Sequence, residues 1–347
     1  MEKESRFSEP FKEDTVRCII CPRMCVIKPG SRGFCDTKEN KYGRLISLTY
    51  GQLSAIAVDP IEKKPLSHFY PGSLAFSISS VGCSFTCPWW QNWHLSAAKP
   101  GDLSTRYVSP REVIAMARRQ ECTSIAYTYN EPLISLDYVE DVARLANKEG
   151  LKNVLVTNGY ISAPALSRVV DVIDAANVDW KAFSEAFYRE HCSADLQSVL
   201  DATVEMKRRG THVEVTFLII PETNDGEDET RKMARFIVDE LGPETPLHLS
   251  RFFPHYKFTH VPATPIQTLV STRRIAMEEG IRYVFVGNVP LTDYDHTFCH
   301  SCGEPVIERG GYTITGWHLD DENNCEHCGE HIPIVGGREV HRSPFPF

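Results

Sequence analysis

Between about residue 74 and residue 290, short β-rich apolar runs alternate with segments whose apolar residues recur at helical spacing. Such alternation predicts repeated βα units and a parallel sheet, an α/β fold. Strands are expected at 75–81, 124–129, 153–157, 177–181, 213–220, 247–252 and 283–286. Their spacing is mostly about 30 residues, the size of a βα unit with its return connection. The helices between them are marked by their ends. Ser109-Pro110 reads as N-cap and first-turn proline, with Val113, Ile114 and Ala117 as the apolar stripe. A second helix is expected over 195–209, where Leu196, Val199, Leu200, Thr203 and Val204 share a face and Gly210 supplies the stop. About six such units suit a partial (βα)6 TIM-like barrel better than a doubly wound sheet; in either, functional groups belong at the C-terminal strand ends.

The pattern divides the chain into an N-terminal cysteine-bearing segment (1–72), the barrel (73–295), a C-terminal module (296–335) and a tail rich in proline and charge (336–347). With 42% hydrophobic and 24% charged residues, the 347-residue chain has ordinary globular composition. A net charge of -9 argues against a broad phosphate-binding surface, and so against nucleic acid as a partner. No stretch approaches the ~20 apolar residues of a membrane span, and the start, Met1-Glu2-Lys3-Glu4-Ser5-Arg6, has no apolar signal core; a cytoplasmic location is expected. In that reducing compartment the twelve cysteines call for metal or catalysis rather than disulfides.

Ten of them fall into three groups, leaving Cys122 and Cys192 as singles. Cys299-His300-Ser301-Cys302 and Cys325-Glu326-His327-Cys328, separated by 22 residues and each followed by a glycine (Gly303, Gly329), have the two-knuckle spacing of a zinc ribbon. A structural metal is expected there, zinc ahead of iron. Nearby Glu304, Glu308, Asp320, Asp321 and Glu322 leave the module without a basic face. Cys18, Cys21, Cys25 and Cys35 have ligand-like density with turns at Pro29-Gly30 and Gly33. Soft sulfur ligation there suits zinc or an iron–sulfur cluster, and the spacing does not choose between them.

The third group, Cys83-Ser84-Phe85-Thr86-Cys87-Pro88-Trp89-Trp90, follows the first barrel strand. Together with Asp59-Pro60-Ile61-Glu62-Lys63-Lys64-Pro65-Leu66, Gln91-Asn92-Trp93, Tyr127-Thr128-Tyr129-Asn130-Glu131-Pro132, Thr157-Asn158-Gly159-Tyr160, Asp179-Trp180-Lys181-Ala182-Phe183-Ser184 and Leu249-Ser250-Arg251-Phe252-Phe253-Pro254, it resembles the radical S-adenosylmethionine (SAM) superfamily. The detailed likeness is to the AmmeMemoRadiSam-system branch, itself similar to pyruvate formate-lyase activating enzymes, and it covers nearly the whole chain. The resemblance implies a [4Fe-4S] cluster on three cysteines with one iron left to chelate the SAM amino and carboxylate groups. It also implies an electron donor, reductive cleavage to a 5′-deoxyadenosyl radical, and hydrogen abstraction from a substrate, a protein being one candidate.

By the same resemblance, Asn130 and Glu131 lie where the SAM amino group is contacted, and Thr157, Asn158 and Gly159 where ribose and carboxylate are held. Asp179 and Lys181 end the fourth strand on one face. Arg251 and His255 follow the sixth strand, where they could orient substrate or the SAM carboxylate. Trp89, Trp90 and Trp93 suit either adenine stacking or a packed lid.

Trp90 stands where the family has its third cysteine. An indole offers an N–H and no in-plane lone pair, so it cannot ligate iron as a thiolate does. Only Cys83 and Cys87 remain in this loop, and a labile or absent cluster is the expectation. His94 and Cys192 are the candidates for a substitute ligand, while Cys122 precedes its strand and belongs to the wrong end. Two functions follow: a radical SAM enzyme, or a radical-SAM-like scaffold that binds a nucleoside or a partner protein without the reductive chemistry. A nucleic-acid-binding zinc-ribbon module is the weakest on charge.

Overall fold

The computed structural model describes residues 3–290 and 293–339. Its centre is an eight-stranded sheet whose spatial order follows the chain in reverse: β8(Val284–Gly287), β7(Leu247–Arg251), β6(His212–Ile219), β5(Ala175–Trp180), β4(Lys152–Thr157), β3(Ser124–Tyr127), β2(Leu74–Ser79) and β1(Ala55–Pro60). Strands β2 to β8 are all parallel, and β1 pairs antiparallel with β2. Each of the seven expected strands overlaps one of these parallel strands. The sheet thus has seven parallel strands where about six units were expected. Its antiparallel edge comes from residues 55–60, inside the stretch read as N-terminal segment.

The helices form where sequence and capping agree. α1(Pro110–Arg119) opens with a capping box in which Ser109 and Glu112 satisfy each other's backbone N–H, and Val113, Ile114 and Ala117 are buried. α2(Leu136–Lys148) and α3(Ala163–Val169) follow, α3 capped by the Ser162 side chain. α4(Leu196–Arg208) is capped by Asp195 and buries Leu196, Val199, Leu200 and Thr203. Each fully buried aliphatic there contributes roughly 1.5–3 kcal/mol. α5(Glu227–Phe236) and α6(Ile266–Glu278) complete the set. The helices cover the sheet so completely that the four residues of β3 are all buried, which is why such strands read as unbroken apolar runs.

The N-terminal segment is two small antiparallel sheets, and its Phe7, Val16 and Ile27 join the same core as the eight-stranded sheet. It is tied to α2 at Asp137, a fully buried carboxylate that accepts from Ser5 Oγ and Arg6 N at 2.8 Å and from Lys38 Nζ at 3.3 Å. The C-terminal module is a three-stranded sheet built on β9(Pro305–Gly310) and β10(Thr313–Trp317). Its core packs on Tyr283 and Phe285, at and just before β8. Of the tail, residues 340–347 lie outside the described residues. Among the described residues no helix is long and apolar enough to cross a membrane.

Candidate functional site

A cavity of about 780 Å³ opens at the C-terminal strand ends and runs down the inner face of the sheet. Cys83, Asn130, Glu131, Thr157, Asn158, Asp179 and Lys181 all line it, as does Trp90. Their hydrogen bonds separate those that build the wall from those left for a ligand. Asn130 Oδ1 accepts from Ser79 Oγ and Ser80 N at 3.0 Å, and its Nδ2 donates to Gly82 O at 3.1 Å, so it fixes the start of the Cys83 loop. Glu131 accepts from Leu133 N at 3.0 Å, Thr157 Oγ1 at 2.7 Å and Asn158 N at 2.8 Å. Burial nevertheless pushes its carboxyl up to about 7. With three acceptor sites occupied, Glu131 splices β3 to β4 and keeps little capacity for a SAM ammonium. Asn158 Nδ2 donates to Ser84 Oγ at 3.1 Å and lies 3.8 Å from Cys83 Sγ, holding the cluster loop against β4.

Asp179 differs from the others. One oxygen pairs with Lys181 Nζ, while Oδ1 is buried without a protein partner. Burial draws the Lys181 ammonium down, but Asp179 and Cys87 beside it hold it above its usual range. Gly159 does not reach the cavity: at φ +71° it packs on β5, where a Cβ would stand 2.8 Å from Val178 Cγ1. Nor does Arg251, whose Nε donates to Thr264 O at 2.7 Å and whose guanidinium lies over Phe253; it braces the segment after β7. His255 is exposed and away from the lining.

The sequence motif at 59–66 supplies wall residues not expected from strand ends. Asp59 accepts from Lys63 and Lys64 at 2.7 Å and from the Tyr129 hydroxyl; burial opposes its charge, yet these donors hold it well below the usual carboxylate range. Burial lowers Lys64 to about 8 despite Asp59. Glu62, pushed up to about 7 by burial, lines the deep end with an unpartnered Oε2. Arg309, inserted from β9, also lines that end, donating to Ser67 O at 2.8 Å. Neither could be found by strand-end reasoning, because one precedes the parallel strands and the other arrives from a separate module.

The Cys83 loop meets Cys192, one of the two residues expected as a substitute ligand. Cys83 lines the cavity, but Cys87 is fully buried behind it, its Sγ 3.5 Å from Cys192 Sγ. Cys192 ends a π-helical turn, Tyr188–Cys192, that follows β5. The turn is clasped to the loop: Thr86 Oγ1 and Ser193 Oγ are 2.7 Å apart, and the Arg23 guanidinium bridges Ser84 O and Ser193 O. Burial pushes the Cys83 and Cys87 thiols well above their usual range, so they ionise only against a metal or cation. His94 is exposed, with its ring edge-on to Trp93, and does not enter the cavity. Trp89 is a core residue against Phe187 and Phe258, whereas Trp90 and Trp93 stack on Tyr256 at the mouth. Cys83, Cys87 and Cys192 are soft donors of the kind an iron–sulfur cluster takes, but only Cys83 lines the cavity, and Cys87 and Cys192 would have to part to serve separate irons.

At the C-terminus, Cys299, Cys302, Cys325 and Cys328 bring all four sulfurs within 4.8 Å of one another. Gly303 at φ +80° and Gly329 at φ +78° follow the pairs, as knuckle turns require. Cys122 lies at the N-terminal end of β3, away from the cavity.

Residues 77–237 match the family model of the radical SAM superfamily. The chain is 44% identical to the uncharacterized protein MJ0808 of Methanocaldococcus jannaschii over 334 residues, 96% of this chain and 99% of that protein. It is 21% identical to the pyruvate formate-lyase 1-activating enzyme of Escherichia coli K12 over 111 residues, 31% of this chain and 45% of the enzyme. Among solved structures, a domain of a pyruvate-formate lyase-activating enzyme from Bacteroides vulgatus aligns with TM-score 0.42 at 13% identity, over 48% of this chain and 99% of that one. With the strand-end cavity and the Cys83 loop, the family-model match and the sequence relatives establish that the chain belongs to the radical SAM superfamily.

Proposed function

We propose that the protein binds SAM in the barrel cavity and supports its reductive cleavage, with Cys83, Cys87 and Cys192 as the cluster thiolates. The observation that carries this reading is the buried Cys192 thiol 3.5 Å from Cys87, which offers the third sulfur that Trp90 does not. When bound, the cluster supplies one electron; the sulfonium S–C5′ bond breaks to give methionine and a 5′-deoxyadenosyl radical, which takes a hydrogen atom from the substrate. The chain's own residues hold the reactant. Asp179, whose Oδ1 has no protein partner, takes the SAM ammonium or a ribose hydroxyl once its carboxylate turns into the cavity, Lys181 takes the SAM carboxylate, and the half-buried Trp90 offers a ring face to adenine. The electron donor is external, and the substrate enters through the Trp90–Tyr256 mouth.

Within the superfamily we assign the chain to the AmmeMemoRadiSam-system branch on the motifs at 59–66, 87–93 and 127–132. For the C-terminal site we propose zinc, since a 2.3 Å Zn–S bond spaces tetrahedral sulfurs about 3.8 Å apart. The measured Sγ pairs are 3.6 and 3.8 Å. The reduced thiols suit a cytoplasmic location.

A second reading has its own support: Trp90 occupies the third ligand position and stacks on Tyr256 at 6.2 Å, which suits a scaffold that binds a nucleoside without reductive chemistry. Anaerobic reconstitution followed by dithionite and SAM separates the two. The enzyme reading expects 5′-deoxyadenosine from wild type and a loss of at least about tenfold in Cys192→Ser, a factor worth about 1.4 kcal/mol. No product from wild type, with product appearing in Trp90→Cys, would establish the scaffold instead.

A further inference from the structure

We propose that Cys18, Cys21, Cys25 and Cys35 hold an iron–sulfur cluster rather than a zinc ion. All four line one apolar cavity of about 20 Å³, room for a water-sized sphere, whose wall includes Ile27 and Leu133. The molecule contains its own standard for the alternative. At the C-terminus four sulfurs touch, 3.6 and 3.8 Å apart in pairs, which is the about 3.8 Å spacing that a single tetrahedral zinc requires and leaves no void between them. Among the described residues no other group of three or more potential ligands converges within 4.8 Å. The N-terminal sulfurs therefore stand apart around a space. In a cluster each thiolate binds a different iron, so spaced sulfurs around an open centre are the arrangement it needs.

The surroundings fit the charge of such a group. Arg23 lines the cavity and offsets thiolate charge in an otherwise apolar shell, while Lys38, also on the wall, is paired with Asp137. The placement is also specific. Ser84, the neighbour of Cys83, forms part of the cavity wall, and Arg23 donates to its carbonyl oxygen at 3.1 Å. A Cβ built on Gly82 would stand 3.5 Å from Cys35 O. One residue of the Cys83 loop thus separates this cavity from the barrel cavity, and the two sites share a wall. The inference does not depend on SAM cleavage or on Cys192.

The test is metal and sulfide analysis with visible absorption after anaerobic reconstitution with ferrous iron and sulfide. Three full-length chains are compared: wild type, Cys83→Ser/Cys87→Ser and Cys25→Ser/Cys35→Ser. The expected result is about one zinc per chain throughout, with about four irons and matching sulfide retained in Cys83→Ser/Cys87→Ser and lost from the N-terminal site in Cys25→Ser/Cys35→Ser. Two zincs per chain in wild type, with no iron held by Cys83→Ser/Cys87→Ser, would overturn the proposal. Both of those chains keep the N-terminal site intact, so the outcome stands even if Cys25→Ser/Cys35→Ser fails to fold.

Discussion

Asp137 is the point where the N-terminal segment is fastened to helix α2 of the central α/β unit, and its removal has a calculable cost. Its carboxylate is fully buried and accepts from Ser5 Oγ, Arg6 N and Lys38 Nζ; Lys38 is 1% exposed and, among the described residues, also donates to Ser47 Oγ at 2.7 Å. Asp137→Ala strands that ammonium in a low-dielectric site, and breaking a buried pair from one side typically costs about 3–5 kcal/mol. Replacing both members with apolar residues of similar size removes the stranded charge, so Lys38→Met/Asp137→Leu should recover most of the loss. Urea unfolding followed by far-UV circular dichroism at pH 7.5 measures both. A loss under about 1 kcal/mol for Asp137→Ala, or a double variant no more stable than the single one, would refute the reasoning.

Further outcomes follow from other sites. Gly159→Ala combines a left-handed φ of +71° with a 2.8 Å approach to Val178 Cγ1, and should cost about 2–3 kcal/mol in the same unfolding assay. Burial lowers His68 to about 3, so its stabilising contribution is complete above the unfolded value of about 6.5 and declines as pH falls from there toward 3. His68→Gln should flatten the slope of stability against pH below 6.5; an unchanged slope would assign that dependence to other groups. Air oxidation of metal-free protein should join Cys87 to Cys192 with loss of two hydrogens, detected by peptide mass spectrometry, because their sulfurs are already 3.5 Å apart. Chelation of the zinc proposed for the C-terminal cysteines should loosen the module that carries Arg309, seen as faster hydrogen exchange in β9 and β10.

The parallel strands were legible because residues buried on both faces read as continuous apolar runs, and α1 and α4 because their caps and stripes agree with burial. The edge strand Ala55–Pro60 was not. Its run is short and ends in proline, and only pairing with Leu74–Ser79 makes it a strand. Asp179 and Lys181 were singled out by the family resemblance, and strand alternation at the end of β5 put them on one face. Asn130 and Glu131 line the cavity, yet their hydrogen bonds are largely spent on the loop and on β4, which depends on partners far apart in sequence. The Cys87–Cys192 contact spans 105 residues and rests on a π-helical turn with Ser193 at φ +52°, a local geometry with no signature in residue spacing. Glu62 and Arg309 reach the cavity from outside the parallel strands, so no βα period points to them.

The claim that Cys192 completes the ligand set is tested most directly by electron paramagnetic resonance of the dithionite-reduced protein, read before and after adding SAM. A Cys25→Ser/Cys35→Ser background keeps the N-terminal cysteines from contributing. The expected result is a cluster signal that shifts on SAM addition and disappears in the added Cys192→Ala substitution. A SAM-sensitive signal that persists unchanged without Cys192, or the absence of any such signal until Trp90 is replaced by cysteine, would contradict it.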